Sequence, residues 1–167
     1  MFKTKAYENI WWRVENRVSQ LAIEGGSNAY DKYLLSEILR AFSRSQDNQM
    51  TGSKKLFVNL EPVVLAHLNT MTPRELSHTI HAYSIRSAGN PELYKAFDAR
   101  IVELQKTDIF DYASLSNLIY YLMFTDNTNE EMWHQVVEHT LNQEEIMPIV
   151  YYKPFKFSKF YLQHHFP

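Results

Sequence analysis

The segment Leu76-Ser77-His78-Thr79-Ile80-His81-Ala82-Tyr83-Ser84 decides how this chain is read. Its apolar residues Leu76, Ile80 and Tyr83 stand at i, i+4 and i+7. An α-helix turns once in 3.6 residues, so the three fall on one stripe. The same arrangement recurs upstream as Leu35-Ser36-Glu37-Ile38-Leu39-Arg40-Ala41-Phe42-Ser43. It recurs downstream as Leu115-Ser116-Asn117-Leu118-Ile119-Tyr120-Tyr121-Leu122-Met123. The copies begin 41 and 39 residues apart, a period typical of two-helix repeats.

A second series interleaves with the first. Leu56-Phe57, Leu93-Tyr94 and Met132-Trp133 each join an aliphatic to an aromatic residue. Leu60, Phe97 and Val136 follow three positions after the aromatic member. Glu8-Asn9-Ile10-Trp11-Trp12-Arg13-Val14 resembles Glu130-Glu131-Met132-Trp133-His134-Gln135-Val136. The first helix therefore reads as an orphan of this second type, which we term B, and the order becomes B-AB-AB-AB. Stacked neighbours bury what no single repeat can bury alone. Recurrence at one repeat position assigns Trp11, Phe57, Tyr94 and Trp133 to packing. Trp12 sits beside that position and is expected on an exposed or partner-covered face.

The connectors fit this reading. Gly25-Gly26-Ser27-Asn28 supplies a helix stop. Thr72-Pro73-Arg74-Glu75 has a capping Thr, Pro in the first turn and Glu at the third helical position. Gly89-Asn90-Pro91-Glu92 is a stop, a cap and a Pro. Thr128-Asn129-Glu130-Glu131 sets two acids at the positive end of the next helix. Gln49-Met50-Thr51-Gly52-Ser53 divides the first pair. The expected helices are 9–24, 30–46, 54–69, 74–87, 92–106, 112–124 and 129–144. The fold class is all-α, an α-solenoid of about 3.5 helix-pair repeats with seven helices. An orphan helix at 9–24 precedes repeats at about 29–71, 72–107 and 108–146, within a domain at 1–147. An extended aromatic tail, 148–167, follows.

Composition narrows the function. The 167 residues include no Cys, which removes disulfides, thiolate metal sites and a Cys nucleophile. The formal net charge of −2 lacks the basic surplus on which phosphate-binding proteins draw most of their affinity. No run nears the roughly 20 apolar residues that span a bilayer. Met1-Phe2-Lys3-Thr4-Lys5-Ala6 is followed by Glu8 and Ile10-Trp11-Trp12, an order unlike a secretory signal, and it is not Arg-rich as a transit peptide is.

Candidate chemistry is sparse. Glu75-Leu76-Ser77-His78 and Glu131-Met132-Trp133-His134 carry the Glu-x-x-His spacing of di-iron bundles. Here Leu76 and Trp133 claim the inward stripe, and the glutamates already cap helices. His78 and His81, or His164 and His165, give two imidazoles where a structural zinc takes four ligands. No Gly-x-Ser-x-Gly and no phosphate-cradling glycine loop is present. The expectation is no enzyme, no cofactor and no metal.

The last 20 residues stand apart. From Pro148 to Pro167 there is no acid. Lys153, Lys156 and Lys159 interleave with Tyr151, Tyr152, Phe155, Phe157, Phe160 and Tyr161. Pro148 and Pro154 argue against a regular helix in the early part. So apolar a segment does not stay solvated. It is expected to dock on the repeats or on a partner protein first, a membrane surface second and RNA third. Trp12, Tyr151, Tyr152, Lys153, Phe155, Lys156, Phe157, Lys159, Phe160 and Tyr161 are the expected partner contacts.

The segment from Leu76 to Leu104, with Leu76-Ser77, Ala82-Tyr83-Ser84, Gly89-Asn90, Leu93-Tyr94 and Ile101, resembles octotricopeptide repeats. It is also similar to the helical repeats of FAST-kinase-like mitochondrial proteins. The likeness covers about residues 29–145. Those families are organellar, and their long arrays bind RNA. This chain departs from them in being short, nearly neutral and aromatic at its end, and so resembles short accessory subunits of protist mitochondrial complexes. The resemblance implies a non-catalytic scaffold in a large mitochondrial assembly: ATP synthase or a respiratory complex, with the mitoribosome as a further setting. It would lie peripheral to the inner membrane or on the matrix side and contact other protein subunits. An organellar RNA-binding role is the alternative, and a Glu-x-x-His metal enzyme a remote one.

Overall fold

A computed structural model describes residues 5–43, 52–108, 110–142 and 147–166, with side chains from Ile10 onward. Eight α-helices occupy them: α1 (Lys5–Gly25), α2 (Lys32–Ser43), α3 (Lys54–His67), α4 (Pro73–Arg86), α5 (Pro91–Thr107), α6 (Tyr112–Phe124), α7 (Glu130–Leu141) and α8 (Tyr152–His165). No strand occurs among the described residues. The expected ends at 46 and 144, the start Met1–Thr4 and the connector Gln49-Met50-Thr51 lie outside the described residues.

The caps work as their chemistry requires. At α4, Thr72 Oγ1 accepts from Glu75 N at 3.4 Å, and Glu75 Oε2 accepts from Thr72 N at 2.8 Å. Asn90 Oδ1 accepts from Leu93 N at 2.8 Å, Asp111 Oδ1 from Ser114 N at 2.7 Å, and Asn129 Oδ1 from Met132 N at 3.2 Å. Each satisfies one amide that the helix itself leaves unpaired. The turn after α4 takes Ser87 to φ 45° and Gly89 to φ 92°. At Gly89 a Cβ would also stand 3.1 Å from Leu93 Cδ2 and 3.2 Å from Tyr83 Cδ1, so the site needs glycine twice over.

The helices form two rows. In one row α2 touches α4, α4 touches α6, and α6 touches α8. In the other α1 touches α3, α3 touches α5, and α5 touches α7. In the first row α2, α4 and α6 are the Leu-Ser series, and the second row is the aliphatic-aromatic series. Leu35, Leu39 and Phe42, then Leu76, Ile80 and Tyr83, then Leu115, Ile119 and Leu122 are all buried. Across the interface lie Leu56, Phe57 and Leu60, then Leu93, Phe97 and Ile101, then Met132, Trp133 and Val136, also buried. Burying one large apolar side chain contributes about 1.5–3 kcal/mol against the entropy of ordering it. Aromatic rings run along this seam: Phe57 meets Tyr83 at 5.2 Å, Tyr83 meets Phe97 at 5.7 Å, and Phe97 meets Tyr121 at 6.4 Å, all edge-on.

The serine of the Leu-Ser pair has a physical reason. Ser36 Oγ donates to Tyr33 O at 2.8 Å and Ser77 Oγ to Arg74 O at 2.9 Å, within their own helices. A hydroxyl satisfied in this way can be buried, and its small volume suits a helix–helix contact.

One expectation is corrected. The described part of the segment, 148–166, is not an extended tail. After a short 3₁₀ turn at Ile149–Tyr151 it forms α8, which packs on α6 and adds an eighth helix to the expected seven. Pro154 does not block it, because Pro154 lies in the first turn, where amide donors have no intrahelical acceptor. Ser158 is buried and donates to Phe155 O at 2.9 Å, as Ser36 and Ser77 do in α2 and α4. Helix α8 thus takes the next place in the row of α2, α4 and α6.

Candidate docking surfaces

Two acids inside the stack are held by structural hydrogen bonds. Glu61 on α3 is buried, and its Oε2 accepts from Asn90 Nδ2 at 2.8 Å. One repeat on, Asp98 of α5 accepts at Oδ1 from Asn127 Nδ2 at 3.2 Å and from Tyr121 Oη at 2.7 Å. Each pair ties a second-row helix to the connector 29 residues ahead. Burial raises both carboxyl groups above their ordinary range, with Asp98 partly restored by its two donors. Asp98 forms part of the floor of a groove of about 490 Å³ between the α4–α5 and α6–α7 turns.

The Glu-x-x-His residues disperse. Glu75 is held in its capping box, and His78 Nδ1 lies 3.5 Å from Glu37 Oε1. Glu131 Oε1 lies 3.6 Å from Lys106 Nζ, and His134 Nε2 3.3 Å from Glu138 Oε1. The two motifs sit on α4 and α7, in different rows. No three His, Asp or Glu side chains gather to hold a metal among the described residues.

The expected contact residues divide between two faces of α8. Tyr161 stacks on Trp133 at 5.3 Å, and its hydroxyl donates to Asp126 Oδ1 at 2.9 Å. Burial and the Asp126 carboxylate push that phenol up to about 12. Phe155 meets Tyr112 edge-on at 6.3 Å, and Tyr151 is half-buried. These three face the chain's own helices. Tyr152, Lys153, Lys156, Phe157, Lys159 and Phe160 face outward. Phe160 is 60% exposed and Phe157 54%. No hydrogen bond or ion pair engages the three lysines among the described residues.

Trp12 is 64% exposed on α1. With Ile23 it borders a groove of about 590 Å³ between α1 and α3. The groove also holds Glu15, which accepts from the Ser53 backbone amide at 3.1 Å and ties the start of α3 to α1. Trp11, one residue away, turns inward and meets Phe42 at 4.5 Å.

Sequence reasoning missed the acid–asparagine ties. The signal available was the equal 29-residue offset of Glu61–Asn90 and Asp98–Asn127. No family model, no curated protein and no solved structure matches the chain.

Proposed function

We propose that this chain is a non-catalytic accessory subunit of a large, membrane-associated mitochondrial assembly, with ATP synthase or a respiratory complex favoured over the mitoribosome. In this reading the two rows are an α-solenoid that belongs with octotricopeptide and FAST-kinase-like repeats. The observation that supports it most is the outward face of α8, where three lysines and three large rings stand in solvent. A chain that ties its buried acids Glu61 and Asp98 into the fold and leaves such a face uncovered is built to be held by something else. The Trp12 groove supplies a second contact surface, on the other row.

The test is purification of the tagged chain from mitochondria of its source under mild detergent, followed by native electrophoresis. Migration with a defined complex, lost on Trp12→Ser combined with Phe157→Ser and Phe160→Ser, supports the reading. Migration of the unsubstituted chain as a free monomer overturns it.

A second reading, RNA binding, draws on the interleaving of Lys153, Lys156 and Lys159 with exposed rings, the pattern that pairs phosphate contacts with base stacking. It requires affinity for single-stranded RNA that falls steeply with salt.

A further inference from the structure

The outward face of α8 can be assigned an occupant from its own chemistry. Along the helix, Tyr152, Lys156 and Phe160 are spaced by four and share one row. Lys153, Phe157 and His164 fall on the row to one side of it, and Lys159 flanks it on the other. Every outward row therefore mixes ammonium groups with aromatic rings. A dry protein groove receiving this face would bury Lys156 between Tyr152 and Phe160, at a desolvation cost that the ring contacts do not offset. A single-stranded nucleic acid would use the rings but not the two side chains just before them. Ile149 is 86% exposed and Val150 72%, and neither has a π-face on which a base stacks.

One surface accommodates all of these groups together. The headgroup layer of a bilayer places phosphate and carboxylate groups at the depth of lysine ammonium groups. Aromatic rings and aliphatic side chains enter the acyl boundary just beneath. The segment itself carries no acid from Met147 to Phe166, and the carboxylate that meets it, Asp126, is engaged by Tyr161 and His165, not by the three lysines. Helix α8 is also held from behind, by Trp133 stacked on Tyr161 and by Tyr112 against Phe155, so the face is already formed before it meets a membrane. We infer that α8 binds the interface of an anionic bilayer through Lys153, Lys156 and Lys159, with Ile149, Val150, Phe157 and Phe160 inserted at the headgroup–acyl boundary. This rests on the subunit reading and deepens it at one of its two surfaces. Lipid covers α8, and the Trp12 groove is left to protein.

The experiment is co-sedimentation of the full chain with phosphatidylcholine vesicles, with and without about one-third cardiolipin or phosphatidylserine, at low and physiological salt. Binding is expected to the anionic vesicles and to fall with salt. Lys153→Gln/Lys156→Gln/Lys159→Gln is expected to weaken partitioning roughly a hundredfold. Phe157→Ser/Phe160→Ser is expected to weaken it at least about tenfold. All five positions are exposed, so circular dichroism and melting temperature should match the parent, and Trp12→Ser should bind as the parent does. No sedimentation with anionic vesicles overturns the inference. So does equal binding to neutral vesicles that ignores the lysine substitutions, or tighter binding to a single-stranded RNA oligomer at the same salt. Incorporation into a complex without vesicle binding sinks this inference alone. Vesicle binding by a chain that joins no complex sinks the subunit reading alone.

Discussion

Tyr121 of α6 donates its hydroxyl to Asp98 Oδ1 of α5 at 2.7 Å, and the same oxygen takes a second bond from Asn127. Tyr121→Phe keeps the ring in the aromatic seam and removes only the donor. Loss of one bond to a half-buried charge is expected to cost about 1–3 kcal/mol, read by urea denaturation.

The same carboxylate sets a pH dependence. Asp98 and Glu61 are both raised, by burial first. The folded state therefore binds more protons than the unfolded state at pH just above the ordinary aspartate value of 3.8. Stability should fall as pH rises through that window, once the groups ionise in the folded chain. Asp98→Asn retains an acceptor for Tyr121 and Asn127. Its melting temperature should vary less across the window and exceed the parent's at neutral pH. A variant with the parent's slope would contradict this account.

Asn90 carries two functions and Asn129 one. Asn90 caps α5 and donates to buried Glu61; Asn129 only caps α7. Asn90→Ala should cost about 2–4 kcal/mol and Asn129→Ala about 1 kcal/mol. Asn90→Asp should restore the cap but not the tie, and fall between parent and Ala. Equal losses at the two positions would show that the Glu61 bond contributes nothing.

Gly89→Ala faces both a left-handed backbone and contacts of 3.1 and 3.2 Å with Leu93 and Tyr83. It should destabilise by more than the roughly 1 kcal/mol that backbone preference alone implies. Gly26, at φ 53° with nothing within 4 Å of its Cβ position, provides the comparison with preference alone. Thermal melts of the two alanine variants should separate them.

Removal of residues 148–167 strips the cover from Trp133 and Tyr112. The truncated chain should stay helical yet melt at lower temperature and bind a hydrophobic dye. Surface substitutions therefore separate docking from stability where truncation does not. Tyr161→Phe, which keeps the stack on Trp133 and loses Asp126, should be mild. It should also remove one phenol titrating near 12 from an ultraviolet pH titration.

The periodic part of this molecule was legible because apolar spacing is a strong, local signal. Leu76, Ile80 and Tyr83 declare a helix, and their recurrence declares its neighbours. Caps such as Thr72 and Asn90 were legible because their chemistry is confined to four residues. Helix α8 was not, for two reasons. Pro154 reads as a breaker until the fold places it in the first turn, and aromatic residues on both faces blur the stripe. The ties of Glu61 and Asp98 were hidden because a polar residue far ahead in sequence announces nothing until the chain is folded. At α8, sequence order singled out the segment but not which side of it faces out. Tyr161 and Phe160 are adjacent, yet one stacks on Trp133 and the other stands in water.

The row of α2, α4, α6 and α8 has two unlike ends. On α2, Tyr33 and Leu34 are exposed; on α8, Phe157 and Phe160 are. Copies joining end to end by such a contact would present a fresh end each time, and growth would not close on itself. Lys153, Lys156 and Lys159 sit where each addition would begin. Stripping water from three ammonium groups at every step opposes a filament. Three ammonium groups on α8 would thus weigh against end-to-end growth of such a stack.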